Sequence, residues 1–167
     1  IETFAVRPNT NDEVVYAQLP VAVGAATRLF FASLSTSPIA LGATLPNQSG
    51  QQILGAWSPD GSDIAYFGNL TQPSVVDVYV ERPGETTPIQ VTDFTGDELA
   101  LASTPPVWSS DETRLAYWAG VPDPRAPTSR LSESNLHVAR TDGTGIVSLT
   151  PSPLQLDAGD FAFQPTP

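Results

Sequence analysis

The 167-residue sequence has no cysteine, no methionine, no lysine and a single histidine, His137. Without cysteine it has no disulfide, no thiol nucleophile and no thiolate metal site. One histidine supplies too few ligands for a zinc centre. The seven basic residues are all arginines, against eighteen acidic ones, and the formal net charge is −11. Such a chain has no basic patch to exchange for the counterions of nucleic acid, and anionic membrane surfaces repel it. No apolar run reaches the roughly 18 residues that a membrane-crossing helix needs, so direct membrane insertion is not expected. The first residue is Ile1, not methionine, and no signal-like segment precedes the first strand pattern. The chain therefore reads as a processed or excised piece of a longer product.

Proline and glycine are abundant instead, 17 and 12 residues. They punctuate the sequence rather than forming a tract, which suits a loop-rich all-β fold with one sizeable core. Ile64-Ala65-Tyr66-Phe67 and Val75 to Val80 are rich in the β-branched and aromatic residues that strands favour. Pro59-Asp60-Gly61 is a turn signal, because proline presets its own φ and glycine accepts a positive one. No long segment has helical periodicity. Leu99-Ala100-Leu101-Ala102 has helix propensity, but Pro105-Pro106 follow closely, and it reads as a connection.

The patterns repeat. Ala56-Trp57-Ser58-Pro59-Asp60-Gly61, running on to Phe67, returns as Val107-Trp108-Ser109-Ser110-Asp111-Glu112, running on to Trp118. A weaker copy opens with Ala5-Val6-Arg7-Pro8-Asn9-Thr10. Later parts align as well: Arg28 to Ala32, Val76 to Val80 and Asn135 to Ala139, then short apolar strands at 38–41, 88–92 and 146–150. Val6, Trp57 and Trp108 lie 51 residues apart, and Phe163 takes the next equivalent place 55 residues on. A period of about 40 to 50 residues with four short strands per unit is the signature of a β-propeller blade. Each unit is a sheet with two apolar faces, buried by stacking on its neighbours.

At these residues the sequence resembles the WD-like β-propeller repeat of the TolB family. That repeat runs aromatic-Ser-Pro-Asp-Gly-x-x-Ile-Ala-Phe, then Asp-Leu-Tyr-Val, then Asp-Gly, then two apolar residues and Thr. Residues 57–67 match nearly throughout, whereas 108–118 depart at Ser110 and Glu112. The resemblance implies an all-β chain of three four-stranded antiparallel blades, at about 3–44, 53–93 and 104–150. Phe161-Ala162-Phe163-Gln164-Pro165 resembles the lone ring-closing strand of such propellers, at about 160–165. It also implies a periplasmic or extracellular location, since TolB-like proteins are typically periplasmic.

Three blades do not close a ring. Either the chain is part of a larger propeller, or identical or different propeller-forming chains complete it, and a fragment or a subunit of a multi-chain ring is expected over a free monomer. Antiparallel order puts the short turns, 59–62, 83–87 and 142–145, on one face of the ring. The long connections, 119–134 among them, fall on the other, where partner contacts are expected. Within 119–134, Asp123, Arg125 and Arg130 are the candidate partner-binding residues, with arginine as anchor.

No catalytic residue, cofactor or metal site is expected. His137 lies on a strand, no Gly-x-Ser-x-Gly elbow is present, and the turn aspartates Asp60, Asp63, Asp111 and Asp142 lie in different blades. Asn47-Gln48-Ser49 and Asn69-Leu70-Thr71 are glycosylation sequons. Three functions remain open: a non-catalytic protein-binding or scaffold propeller of an exported protein, an accessory propeller of a peptidase or hydrolase whose catalytic part lies elsewhere, and a structural subunit of an extracellular assembly.

Overall fold

The computed structural model describes residues 4–18, 26–42, 52–73, 75–85, 87–95, 99–100, 105–122, 131–150 and 163. The described residues form strands and turns and no helix. Three antiparallel sheets follow one another along the chain. Blade 1 is β1 (Phe4–Val6), β2 (Glu13–Gln18), β3 (Arg28–Ser33) and β4 (Thr36–Ala40); blade 2 is β5 (Gln52–Trp57), β6 (Ile64–Gly68), β7 (Asp77–Glu81) and β8 (Ile89–Gln90). Blade 3 is β10 (Val107–Trp108), β11 (Arg114–Pro122), β12 (Leu131–Arg140) and β13 (Val147–Ser148), with β9 (Leu99–Ala100) also paired to β11.

The connection expected at 99–102 is therefore partly strand. Leu99 and Ala100 pair with Gly120 and Ala119 on the same edge of β11 that β10 occupies. The equivalent edge strand of blade 2, β5, is continuous except for a register shift between Ile53 and Ala56. Blade 3 splits that strand into two short pieces, and helix propensity loses to an available ladder. The ring-closing strand expected at 160–165 lies outside the described residues apart from Phe163.

Strand alternation sends successive side chains to opposite faces. In β6, Ile64 and Tyr66 pack toward blade 1 with Val15, Leu29, Phe31 and Leu41. Ala65 and Phe67 pack toward blade 3 with Trp108, Leu115 and Tyr117. Both central strands of blade 2 are consequently buried along their whole length. Two apolar clusters, one at each junction between blades, form the core.

The repeated motif has a position-by-position physical account. The tryptophan clamps blades together: the Trp57 indole N–H donates to the Ala5 carbonyl at 3.2 Å, and the Trp108 indole N–H to the Ala56 carbonyl at 2.9 Å. The serine and aspartate build the turn. Ser58 Oγ donates to Asp60 Oδ1 at 2.7 Å and accepts from the Asp63 amide, and Ser109 does the same with Asp111 and the Arg114 amide. Gly61 supplies a φ of +78°, and Glu112 adopts +61° at the matching place. Left-handed backbone costs a non-glycine residue on the order of 1 kcal/mol. Glu112 offsets this by accepting the Asp60 amide of the neighbouring blade at 2.6 Å.

The closing threonine also has a task. Thr92 Oγ1 accepts from the Val78 amide and donates to Asp77, and Thr150 repeats this with Leu136 and Asn135. Blade 1 has Gly42 near that place, and the Gln52 side chain reaches in from blade 2. Its Oε1 accepts from the Leu29 amide and its Nε2 donates to the Leu41 carbonyl, each at 2.9 Å. A Cβ on Gly42 would meet Leu70 Cδ1 at 2.6 Å and Gln52 Nε2 at 3.0 Å.

Two changes test these roles. Trp108→Phe keeps the ring and removes the indole donor, and is expected to cost about 1 kcal/mol in urea unfolding. Gln52→Ala strands the buried Leu29 amide and is expected to cost more, about 1–3 kcal/mol. Equal stability of either variant and the parent would contradict the assigned bonds.

Candidate binding surfaces

The sheets present two ends to solvent. At one end lie the turns between first and second strands and those between third and fourth strands. Between blades 2 and 3 these turns surround a cavity of about 250 Å³. Val80, Ile89 and Trp108 line it together with Asp63, Arg82, Glu112 and Asp142. Arg82 is already engaged: its guanidinium donates to both carboxylate oxygens of Asp63 at 3.1 and 3.2 Å. Asp142 is a turn acceptor for the Thr144 amide and hydroxyl, which hold its carboxyl below the usual range. In blade 3, the Ser109 hydroxyl and the Thr113 amide and hydroxyl draw Asp111 down to about 2. These aspartates are structural, in line with the turn role expected of them. The concavity between two blades was not legible in the sequence, because each of its walls comes from a different repeat.

The opposite end carries the hairpin that bears the expected partner residues. In blade 2 the central pair ends at Gly68 opposite Asp77. In blade 3 the same pair reaches Ala119 opposite Asn135 and continues through Gly120–Ser134 and Val121–Glu133 to Pro122–Leu131. The β11–β12 hairpin therefore projects beyond its neighbour. Asp123, Arg125 and Arg130 fall in the segment joining these strands and lie outside the described residues. The sequon at 47–49 also lies outside them. In the other sequon, Leu70 is buried in the core and Thr71 Oγ1 lies 3.1 Å from the Tyr79 hydroxyl.

Burial is the largest cause of the perturbed carboxyls in blade 2. Glu81 is buried, and its Oε2 accepts from the Tyr66 hydroxyl at 2.8 Å and the Gly42 amide at 2.7 Å. Desolvation pushes its carboxyl up, partly opposed by these bonds and by the Arg28 charge. Asp77 is also pushed up by burial, opposed by the Phe94 amide and Thr92 hydroxyl. His137 packs flat against Tyr117, with ring centroids 5.8 Å apart. Among the described residues no cluster of histidine, cysteine and carboxylates is arranged for a metal ion, and no helix is long and apolar enough to cross a membrane.

Among solved structures, the chain is similar to TolB from Acinetobacter baumannii, at 18% identity and a TM-score of 0.57, covering 84% of this chain and 31% of that one. It is also similar to a putative TolB from Agrobacterium tumefaciens, at 17% identity and a TM-score of 0.59, covering 89% of this chain and 46% of that one. The fold is thus that of the TolB β-propeller, and the chain spans less than half the length of either structure. No protein-family profile and no curated protein sequence matches it.

A raised carboxyl in the fold has a signed consequence. Glu81 favours its neutral form when buried, so its contribution to stability is fullest below its unfolded value of 4.5 and falls as pH rises toward and through the folded value. Glu81→Gln keeps an oxygen acceptor for Tyr66 and Gly42 without the charge. Its unfolding midpoint is expected to rise relative to the parent between pH 4 and pH 8. A difference that does not change over this range would contradict a buried, desolvated Glu81.

Proposed function

We propose that the chain is a non-catalytic protein-binding or scaffold module of an exported protein, and that it meets its partner through the 123–130 segment. The observation that carries this reading is the β11–β12 hairpin, whose ladder outruns the matching ladder of blade 2 by three residue pairs. The ladder carries both ends of the 123–130 segment to the far end of blade 3, where long connections on a sheet scaffold make partner contacts. Arg125 and Arg130 offer planar donors to acidic or carbonyl groups, and Asp123 adds a complementary acceptor. The TolB-type fold supports an extracytoplasmic setting. A second kind of partner is another propeller-forming chain.

The test is a capture experiment from an extracytoplasmic fraction, followed by affinity measurement with the purified partner. Asp123→Ala, Arg125→Ala and Arg130→Ala together are expected to weaken binding at least tenfold, or about 1.4 kcal/mol, while the unfolding midpoint stays unchanged. Unaltered affinity would overturn the assignment of the loop. Hydrolase activity in the isolated chain would overturn the non-catalytic reading.

A further inference from the structure

The junction between blades 1 and 2 holds an arginine where the junction between blades 2 and 3 has a cavity. At the first, the Arg7 guanidinium lies over the Trp57 ring at 5.8 Å, its Nε donates to the Gly61 carbonyl at 2.6 Å, and its Nη1 pairs with Glu13. Arg7 and Glu13 come from blade 1, Trp57 and Gly61 from blade 2. The side chain therefore bridges two blades.

Backbone bonds identify the residues at these places one repeat later. The Arg7 amide donates to the Glu13 carbonyl, and the Ser58 amide to the Asp63 carbonyl. The Gly61 and Glu112 amides close the same turn on the Ser58 and Ser109 carbonyls. Ser58 thus takes the place of Arg7, Asp63 that of Glu13, Trp108 that of Trp57, and Glu112 that of Gly61. Ser58 is buried, with its hydroxyl committed to Asp60. A serine is too short to cross to the next blade. Among the described residues no cation lies over the Trp108 ring as Arg7 lies over Trp57.

Three residues lining the cavity of about 250 Å³, Asp63, Trp108 and Glu112, are the counterparts of the three that hold Arg7. Buried Val80 and Trp108 form its floor. Its rim is acidic: Asp63, Glu85, Glu112 and Asp142 line it against one arginine, Arg82, which is paired with Asp63. Glu112 and Asp142 serve their turns through Oε1 and Oδ1, and each has a second oxygen for another donor. Among the described residues no group of carboxylates converges as metal ligands do, so a compact ion is not the matching cation. An apolar floor below separated carboxylates matches a planar cation on an apolar stem. The volume is below the roughly 300–1,000 Å³ that encloses a drug-sized ligand and suits a single side chain.

We propose that this cavity takes the side chain of an arginine from a protein partner, with the guanidinium against the Trp108 ring and within reach of the Glu112 and Asp142 carboxylates. The partner supplies at the second junction what Arg7 supplies at the first. Ring stacking and weaker hydration favour a guanidinium over an ammonium. The formal charge of −11 draws a basic partner toward the site. The cavity lies at the end of the sheets opposite the β11–β12 hairpin, so this contact is independent of the one assigned to the 123–130 segment.

The experiment titrates the 167-residue chain, labelled at its indole nitrogens, with the peptide acetyl-Gly-Arg-Gly-amide and follows the indole resonances. The Trp108 resonance is expected to shift saturably, and that of Trp57, whose ring Arg7 already covers, to stay in place. The peptide with citrulline for arginine, which keeps the shape and loses the charge, is expected to leave Trp108 unmoved. The lysine peptide and free arginine, whose own carboxylate the acidic rim repels, are expected to bind more weakly. Glu112→Gln combined with Asp142→Asn keeps both turn acceptors and is expected to weaken binding of the arginine peptide about tenfold. A Trp108 resonance that does not respond to the arginine peptide, or responds equally to citrulline, would overturn the proposal. So would undiminished affinity in the double variant. A lysine peptide that binds as tightly would overturn the choice of arginine, and tighter binding of free arginine would overturn the choice of a protein partner.

Discussion

The stack depends on one hydrogen bond used twice. Each blade begins with a strand that has only one neighbour in its own sheet, so about half of its carbonyls point outward, away from any ladder. The tryptophan at the end of the next blade's first strand reaches back and donates to one of them, Trp57 to Ala5 and Trp108 to Ala56. The two acceptors hold the same register, Ala5 opposite Val15 and Ala56 opposite Ala65. The bond therefore fixes the relative height of adjacent sheets, which apolar packing by itself leaves loosely specified. Around it the junctions differ. Arg7 lies over the Trp57 ring at 5.8 Å and donates to the Gly61 carbonyl, whereas Glu112 holds the Asp60 amide at the second junction. The clamp is constant and its supports vary.

This separation between constant and variable parts decides what the sequence disclosed. Strand identity, blade order and turn chemistry were legible because each rests on local spacing. Ser58 with Asp60, and Ser109 with Asp111, lie two residues apart, and their bonds follow from that spacing. The β6 strand was readable as well, since a strand buried on both sides carries a continuous apolar run. The fold class and the resemblance to TolB propellers stand on these features, and the solved structures share that fold.

What was not legible joins distant positions. Gln52 does the work of the closing threonine of blade 1 by accepting the Leu29 amide from 23 residues away, and nothing in its surroundings marks it as a core residue. Glu81 ends a strand of apolar residues, and its partners Tyr66 and Gly42 come from a neighbouring strand and a neighbouring blade. Glu112 departs from the glycine pattern of the motif. It is a substitution that accepts a strained backbone in return for a bond across blades. Leu99 and Ala100 read as a connection because their strand is only two residues long and its ladder partner lies beyond the next turn. For the candidate surfaces, the sequence marked the long loop at 119–134 but not the height of the hairpin beneath it, which pairing alone reveals.

The clamp is directly observable through exchange of the two indole protons with solvent. With Trp57 and Trp108 labelled at the indole nitrogen, both Nε1 protons are expected to exchange slowly at neutral pH, and Trp108→Phe is expected to speed exchange at the Ala56-to-Trp57 strand end without unfolding blade 1. Indole protons that exchange at the rate of a free tryptophan in the folded protein would contradict the account, because the carbonyls of Ala5 and Ala56 would then be held by something else.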